Sequence, residues 1–127
     1  MAKNFRQLEI WQLSYQLVID LYKITEKFPE KENSNLVSQI RRAATSVPLN
    51  IAEGCTRFSK KGFLQFLGFA YGSIRELEVL VELSKDLKLI TASEYEELNE
   101  KVGKISRKLF TFIIKVEREK WFNWFKS

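Results

Sequence analysis

The sequence predicts an all-α protein, an up-down-up-down antiparallel four-helix bundle. Only 5 glycines and 2 prolines occur in 127 residues, which leaves few turns to connect the many short strands of a β-sandwich or barrel. Apolar residues also recur at three- and four-residue intervals over four long segments. The apolar fraction of 45% and the charged fraction of 29% are typical of a folded domain. Because this length suits one hydrophobic core, we expect a single domain over residues 1–127.

The first helix is predicted over residues 5–27. A helix that packs on one side needs an apolar stripe little wider than ~100°, whereas this one carries two rows that cover close to half of its circumference. The surplus predicts a second buried contact. Phe28-Pro29 ends the helix, because the residue before a proline is disfavoured in the α conformation. The two rows are Leu8, Trp11, Tyr15, Val18, Tyr22 and Ile10, Leu17, Leu21, Ile24, Phe28.

The second helix is predicted over residues 35–54. Pro48 lies inside its apolar row, where a proline removes one backbone hydrogen bond and clashes with the carbonyl of Ala44. Because the row resumes in phase at Ile51, we expect a helix that is kinked at Pro48 and continues beyond it. The predicted buried row is Leu36, Ile40, Ala43, Val47 and Ile51.

The third helix is predicted over residues 60–87, with Ser59 as its N-cap. Gly68 and Gly72 lie in its interior, where each costs about 1 kcal/mol relative to alanine. Their small size predicts the close approach of a neighbouring helix. The predicted buried row is Phe63, Phe66, Ala70, Ser73, Leu77, Leu80, Ser84 and Leu87, widened by Leu67, Ile74 and Val81.

The fourth helix is predicted over residues 92–117, followed by an aromatic tail over residues 118–127. Its start carries a capping box, either Thr91 with Glu94 or Ser93 with Glu96. The carboxylates of its first turns are interpreted as an acidic bias that the helix dipole favours. The predicted buried row is Tyr95, Leu98, Val102, Ile105, Leu109, Phe112 and Val116.

The composition excludes several kinds of active site. The sequence has no histidine, which rules out histidine acid–base catalysis, Ser-His and Cys-His nucleophile pairs and imidazole metal ligands. The single cysteine, Cys55, cannot form an intrachain disulfide or a zinc cluster and suits a reducing compartment. We therefore predict no catalytic residues, no cofactor and no metal. Without an apolar leader or ~18 consecutive apolar residues, we expect a cytoplasmic protein that does not contact a membrane.

The net charge of +5 is concentrated in residues 34–60, where four basic residues oppose Glu53 alone. The charge by itself gives only weak support to phosphate contacts with a polyanion, since many soluble proteins carry a similar charge without binding nucleic acid. The alternative is that Arg41 and Arg42 form ordinary ion pairs with Glu76 or Glu78 of the third helix. The candidate nucleic-acid-binding residues are Arg41, Arg42, Arg57, Lys60 and Lys61.

One face of the second helix is the candidate oligomer interface. Arg42, Ser46, Leu49 and Glu53 fall opposite the predicted core row on a helical wheel. A leucine among polar residues on an outward face predicts cover from outside the bundle.

Residues 39–54 follow the pattern Q-I-R-R-A-x-x-S-x-P-x-N-I-A-E-G. R-x-S follows at residues 57–59 and A-x-G-S-x-x-E-L-E at residues 70–78. This combination resembles the four-helix-bundle family encoded in 23S rRNA intervening sequences, and the resemblance runs from about residue 5 to about residue 116.

The resemblance implies a ring of five subunits. It also implies kinship with the accessory variability determinant of diversity-generating retroelements, a basic pentamer that binds nucleic acid and a reverse transcriptase. Two functions follow as expectations. One is a non-enzymatic homopentamer that binds RNA or a nucleic-acid-bound protein, and the other is a protein-interaction scaffold without nucleic acid. A helical ribonuclease is disfavoured, because the usual histidine is missing.

Overall fold

The computed structural model describes residues 4–120, and this part of the chain is helical without a strand. The all-α four-helix fold predicted from the sequence is confirmed. The elements are α1 (Glu9–Thr25), α2 (Leu36–Cys55), α3 (Lys60–Asp86) and α4 (Ala92–Arg118), with 3-10 turns at Phe5–Gln7 and Glu30–Glu32.

Consecutive helices are antiparallel neighbours, and α4 closes the bundle against α1. Ion pairs show that α1 and α4 run in opposite directions, because residues early in α1 pair with residues late in α4. Within the described residues these ion pairs join Glu9 to Lys108, Asp20 to Lys101, and Lys27, just after α1, to Glu94.

A single hydrophobic core runs between the four helices. The whole predicted row of α2 is buried, from Leu36 to Ile51. In α3 the core is centred on Leu67, Ile74 and Val81, whereas Leu87 is 53% exposed. On a straight α-helix, a row of residues at strict three–four spacing rotates around the helix axis by ~20° per heptad. The predicted α3 row therefore leaves the core before it reaches Leu87.

The helix ends depend on local hydrogen bonds. The Oγ of Ser59 accepts a bond from the Gly62 N–H at 3.0 Å, as the predicted N-cap of α3. At the start of α4 the capping box forms between Thr91 and Glu94. The predicted first helix is wrong at its start, because Leu8 is extended (φ −79°, ψ 126°) and separates the 3-10 turn from α1.

The prediction that Gly68 and Gly72 admit a neighbouring helix is wrong within the subunit. Apart from the adjacent residues and nearby backbone of α3 itself, no atom of residues 4–120 would lie within 4 Å of a Cβ at either glycine, and both glycines are exposed. The aromatic residues of the predicted tail, from Trp121 onward, lie outside the described residues.

Candidate nucleic-acid interface and subunit contact surfaces

The five predicted phosphate contacts do not form one patch. Arg42 and Arg57 are separated by most of α2, about 22 Å at 1.5 Å per residue. Arg41 is directed toward α1, where its guanidinium donates to the Thr25 Oγ1 at 3.0 Å and to the Tyr22 carbonyl at 3.2 Å. It also lies 4.3 Å from the centre of the Tyr22 ring. Arg41 therefore ties α2 to α1.

Arg42 remains largely exposed. Its guanidinium lies 3.7 Å from the Glu76 carboxylate, and 71% of the Arg42 side chain is accessible to solvent. This is one of the two ion pairs that the alternative interpretation predicted, whereas Glu78 pairs with Arg75 of its own helix at 3.5 Å. A long and exposed ion pair contributes little to stability, so a phosphate group can displace it at low cost.

Arg57 and Lys60 are engaged inside the subunit. The Arg57 guanidinium donates to Glu53 at 2.7 Å and lies 4.3 Å from the centre of the Phe66 ring. Its Nε is buried and has no hydrogen-bond partner among residues 4–120. The Lys60 ammonium donates to the carbonyls of Glu117 and Glu119 at the end of α4. Those carbonyls lack partners within their own helix, so Lys60 acts as a C-terminal cap.

Lys61 is exposed at the start of α3. Among the five candidates, Lys61 and Arg42 are therefore the most accessible, and they lie toward opposite ends of α2.

The predicted interface face of α2 borders an apolar groove. Leu49 is 66% exposed. Ser46 is directed toward α3, where its hydroxyl hydrogen-bonds to that of Ser73 at 2.8 Å. Glu53 is exposed and forms an ion pair with Arg57.

Between α1 and α2 lies a groove of about 360 Å³, which we name the α1–α2 groove. Its apolar wall consists of Phe5, Trp11, Tyr15, Val18, Pro48, Leu49 and Ala52.

Part of the surplus apolar row predicted on α1, namely Trp11, Tyr15 and Val18, lines the α1–α2 groove. Tyr15 is 50% exposed, and its ring stacks on Trp11 with the ring centres 4.8 Å apart. The Phe5 ring also packs against Trp11, tilted by 59° and with the ring centres 5.2 Å apart. The aromatic wall is therefore held in place before any ligand arrives.

Sequence reasoning missed a second exposed apolar surface, on the side of α3 that faces away from the core. Val79 is 67% exposed, and Phe69 and Leu83 are about half exposed. The two exposed glycines of α3 lie on the same side, and together these residues form what we name the α3 outer face: Gly68, Phe69, Gly72, Val79 and Leu83. A second row at three–four spacing, opposite the core row, was the signal for this face.

Sequence reasoning also missed the charge of α4. Residues 101–116 contain five basic residues and no acidic one. Lys101 lies 3.0 Å from Asp20 and 3.2 Å from Glu97, and the hydrogen bond to Asp20 is the main cause of its raised pKa. Lys108 lies 3.0 Å from Glu9. Counting charges helix by helix would have shown this concentration.

Residues 4–120 contain no group of three or more histidine, cysteine, aspartate or glutamate side chains placed to hold a metal ion. Within the same range no helix combines the length and the apolar content that a bilayer span requires.

The sequence model of the family described as 23S rRNA-intervening sequence protein matches residues 6–111. No curated protein matches the chain. A solved structure from Bacteroides thetaiotaomicron VPI-5482, described as a protein with unknown function from the S23 ribosomal protein family, is similar with a TM-score of 0.75 and 25% sequence identity. The similarity covers 82% of this chain and 94% of that one. With a match over most of its length, the chain belongs to the 23S rRNA-intervening sequence protein family.

Proposed function

We propose that this protein is a non-enzymatic, oligomeric module of the cytoplasm that binds RNA or a ribonucleoprotein. The observation that carries the assembly is the presence of two unlike apolar surfaces on one subunit. The α1–α2 groove is concave and aromatic, whereas the α3 outer face exposes apolar side chains beside two glycines that leave the helix backbone bare. Large exposed apolar patches of this kind mark interaction sites in folded proteins.

The position of the two surfaces favours a ring. The helix α2 separates them, since Pro48 and Ala52 line the groove toward α1 while Ser46 contacts α3. A contact between unlike surfaces is heterologous, and a heterologous contact that closes on itself gives a cyclic oligomer. The family resemblance supplies the expected number of five subunits.

The basic charge supports RNA as the ligand. A ring repeats the net charge of +5 in every subunit, and repetition raises avidity without a new contact. Of the predicted phosphate contacts, Arg42, Arg57 and Lys61 retain side chains that reach solvent.

Assembly is tested by native mass spectrometry at micromolar concentration. We expect a particle of about five times 15.0 kDa. The double variant L49E/V79E places a charge in each apolar surface and should dissociate the particle, because an unpaired charge is costly to bury. F58S is the matched control, since Phe58 is 83% exposed but lies in the α2–α3 loop. A monomeric parent protein would overturn the proposed assembly.

RNA binding is tested on the parent protein with a fluorescein-labelled oligouridine and a series of salt concentrations. Phosphate contacts predict that the logarithm of the binding constant falls linearly with the logarithm of the salt concentration. Binding that is absent at low salt, or insensitive to salt, would refute the RNA ligand.

The second candidate function is a protein-interaction scaffold without nucleic acid. It is favoured by the internal contacts of Arg41 and Lys60, which give these two cations a structural role. An assembled parent protein that does not bind the oligouridine would support the scaffold.

A further inference from the structure

The strongest concentration of cations in the described residues lies on α4. Basic side chains follow one another at three- and four-residue intervals, with a single threonine among them. Positions at this spacing share one side of a helix, and the row extends about 26 Å along the axis. We name it the α4 cation row: Lys101, Lys104, Lys108, Thr111, Lys115 and Arg118, with Arg107 beside it.

The row lies along the seam between α1 and α4. Two clefts open along this seam, one of about 330 Å³ bordered by Lys101 and Lys104, and one of about 400 Å³ bordered by Arg107 and Lys108. The Asp20–Lys101 and Glu9–Lys108 ion pairs hold the two helices together there. They fix the position of the row on the bundle surface.

The carboxylates of α1 neutralise only part of the row. Asp20 and Glu9 each hold one lysine, whereas Lys104, Arg107 and Arg118 are exposed and have no ion-pair partner among residues 4–120. Acidic residues of α4 lie at its two ends, before residue 101 and after residue 116. The middle of the helix therefore keeps a positive surface.

We infer that the α4 cation row is the surface that binds the phosphate backbone of RNA, an inference that rests on the proposed function. The composition of the row favours a polyanion over other partners. Lysine is depleted in protein–protein interfaces, and a membrane-binding helix needs large apolar residues beside its cations. Of the exposed large apolar residues among residues 4–120, only Phe110 lies on α4, in a cleft with Thr111, Lys115 and Arg118, and one aromatic ring is much less than the apolar face that an interfacial helix buries. Contacts to phosphate make the binding independent of base sequence.

The row also stays accessible in the proposed assembly. The α1–α2 groove and the α3 outer face lie on other sides of the bundle, because α4 contacts α1 and α3 but not α2 in the described part of the chain. Each subunit of a ring would therefore present its own α4 cation row to the same RNA.

Two variants that each remove three positive charges test the inference. K104Q/R107Q/R118Q changes the α4 cation row and leaves its ion-paired lysines in place. R42Q/R57Q/K61Q removes the same charge from the sequence-predicted cluster and spares Lys60, which caps α4. Oligouridine binding is measured over a salt series, after circular dichroism and native mass have shown that each variant is folded and assembled.

We expect K104Q/R107Q/R118Q to bind oligouridine at least about tenfold more weakly than the parent at low salt. The slope of the logarithm of the binding constant against the logarithm of the salt concentration should become shallower by about two to three, because each phosphate contact contributes about 0.7–0.9 to it. The matched variant should keep a slope close to that of the parent. A flattened slope in the matched variant alone would overturn the inference and leave RNA binding intact. An equal loss in both variants would overturn it too, since net charge would then explain the effect. A parent that binds no RNA would refute the proposed ligand itself.

Discussion

Glu94 makes two contacts at the N-terminus of α4. Its carboxylate accepts a hydrogen bond from the backbone N–H of Thr91 at 2.8 Å and another from the ammonium of Lys27, which follows the end of α1. The contact with Lys27 is the main cause of the lowered pKa of Glu94, and the Thr91 N–H adds to it. One side chain thus completes a capping box and ties the first helix to the last.

The lowered pKa predicts a pH-dependent contribution to stability. A carboxyl whose pKa is lower in the folded state stabilises the protein above its unfolded pKa of about 4.3, and the effect is lost as the pH falls through the folded pKa. E94Q keeps a side chain suited to the capping box but removes the charge. We expect it to lower the free energy of unfolding by about 0.5 kcal/mol at neutral pH and by less near pH 3, as measured by urea denaturation.

E96Q is the control for this prediction, because Glu96 is exposed in the same turn and makes no hydrogen bond or ion pair with residues 4–120. A difference between parent and E94Q that is the same at both pH values would show that the ion pair with Lys27 does not contribute.

Single residues also show where sequence reasoning stops. The caps Ser59 and Thr91 could be predicted because their partners lie three residues away. Lys60 could not be assigned correctly, since the carbonyls it binds belong to residues more than fifty positions later. The sequence identifies a charge, but the fold decides what that charge contacts.

At the scale of the element, α2 runs without interruption from Leu36 to Cys55 and contains Pro48. The kink at Pro48 stays a prediction. Pro48 is buried and forms part of the wall of the α1–α2 groove. The bend that a proline introduces would therefore shape the surface on which we propose that a second subunit packs.

P48A tests this role of the proline. Alanine restores one backbone donor and removes the clash with the Ala44 carbonyl, so we expect far-UV circular dichroism to show the parent's helix content. Subunit association, followed by light scattering, should change more than helix content. P29A is the matched control, because Pro29 is exposed and lies outside the four helices. A large loss of helix in P48A would contradict the prediction.

Helix positions followed from the apolar rows because a row records which side of a helix is buried. In α2 every residue of the predicted row is in the core. The start of α1 could not be predicted, because the cap at Asn4 and the extended Leu8 interrupt an apolar pattern that continues across them. Periodicity measures burial, and it does not detect a change of backbone conformation that preserves burial.

At the scale of the whole molecule, the bundle has three surfaces of different chemistry. The α1–α2 groove and the α3 outer face are apolar, and the α4 cation row is positively charged. The sequence revealed part of the first through Leu49 and the surplus row of α1. The other two depend on which side of each helix the bundle leaves open, and this is decided only when all four helices pack together.

Gly72 provides a test of the α3 outer face that changes sign with the state of assembly. In the separate subunit a Cβ at this position meets no atom of residues 4–120 beyond the adjacent part of α3 itself, so G72A should raise the free energy of unfolding by up to about 1 kcal/mol through helix propensity. In the proposed ring the added methyl group would stand where the α1–α2 groove of the next subunit packs, so G72A should weaken assembly. Urea unfolding of the dilute protein measures the first effect, and native mass at micromolar concentration measures the second.

G103A is the matched control for G72A. Gly103 lies in α4, where an added Cβ meets only the Nη1 of Arg107 at 3.1 Å among the described residues, and the far end of that side chain can move aside. We expect G103A to stabilise the subunit without changing the mass of the particle. Should G72A stabilise the protein equally at low and high concentration and leave the particle intact, the α3 outer face is not a subunit contact. The neighbouring subunit would then have to pack on the α1–α2 groove through another surface.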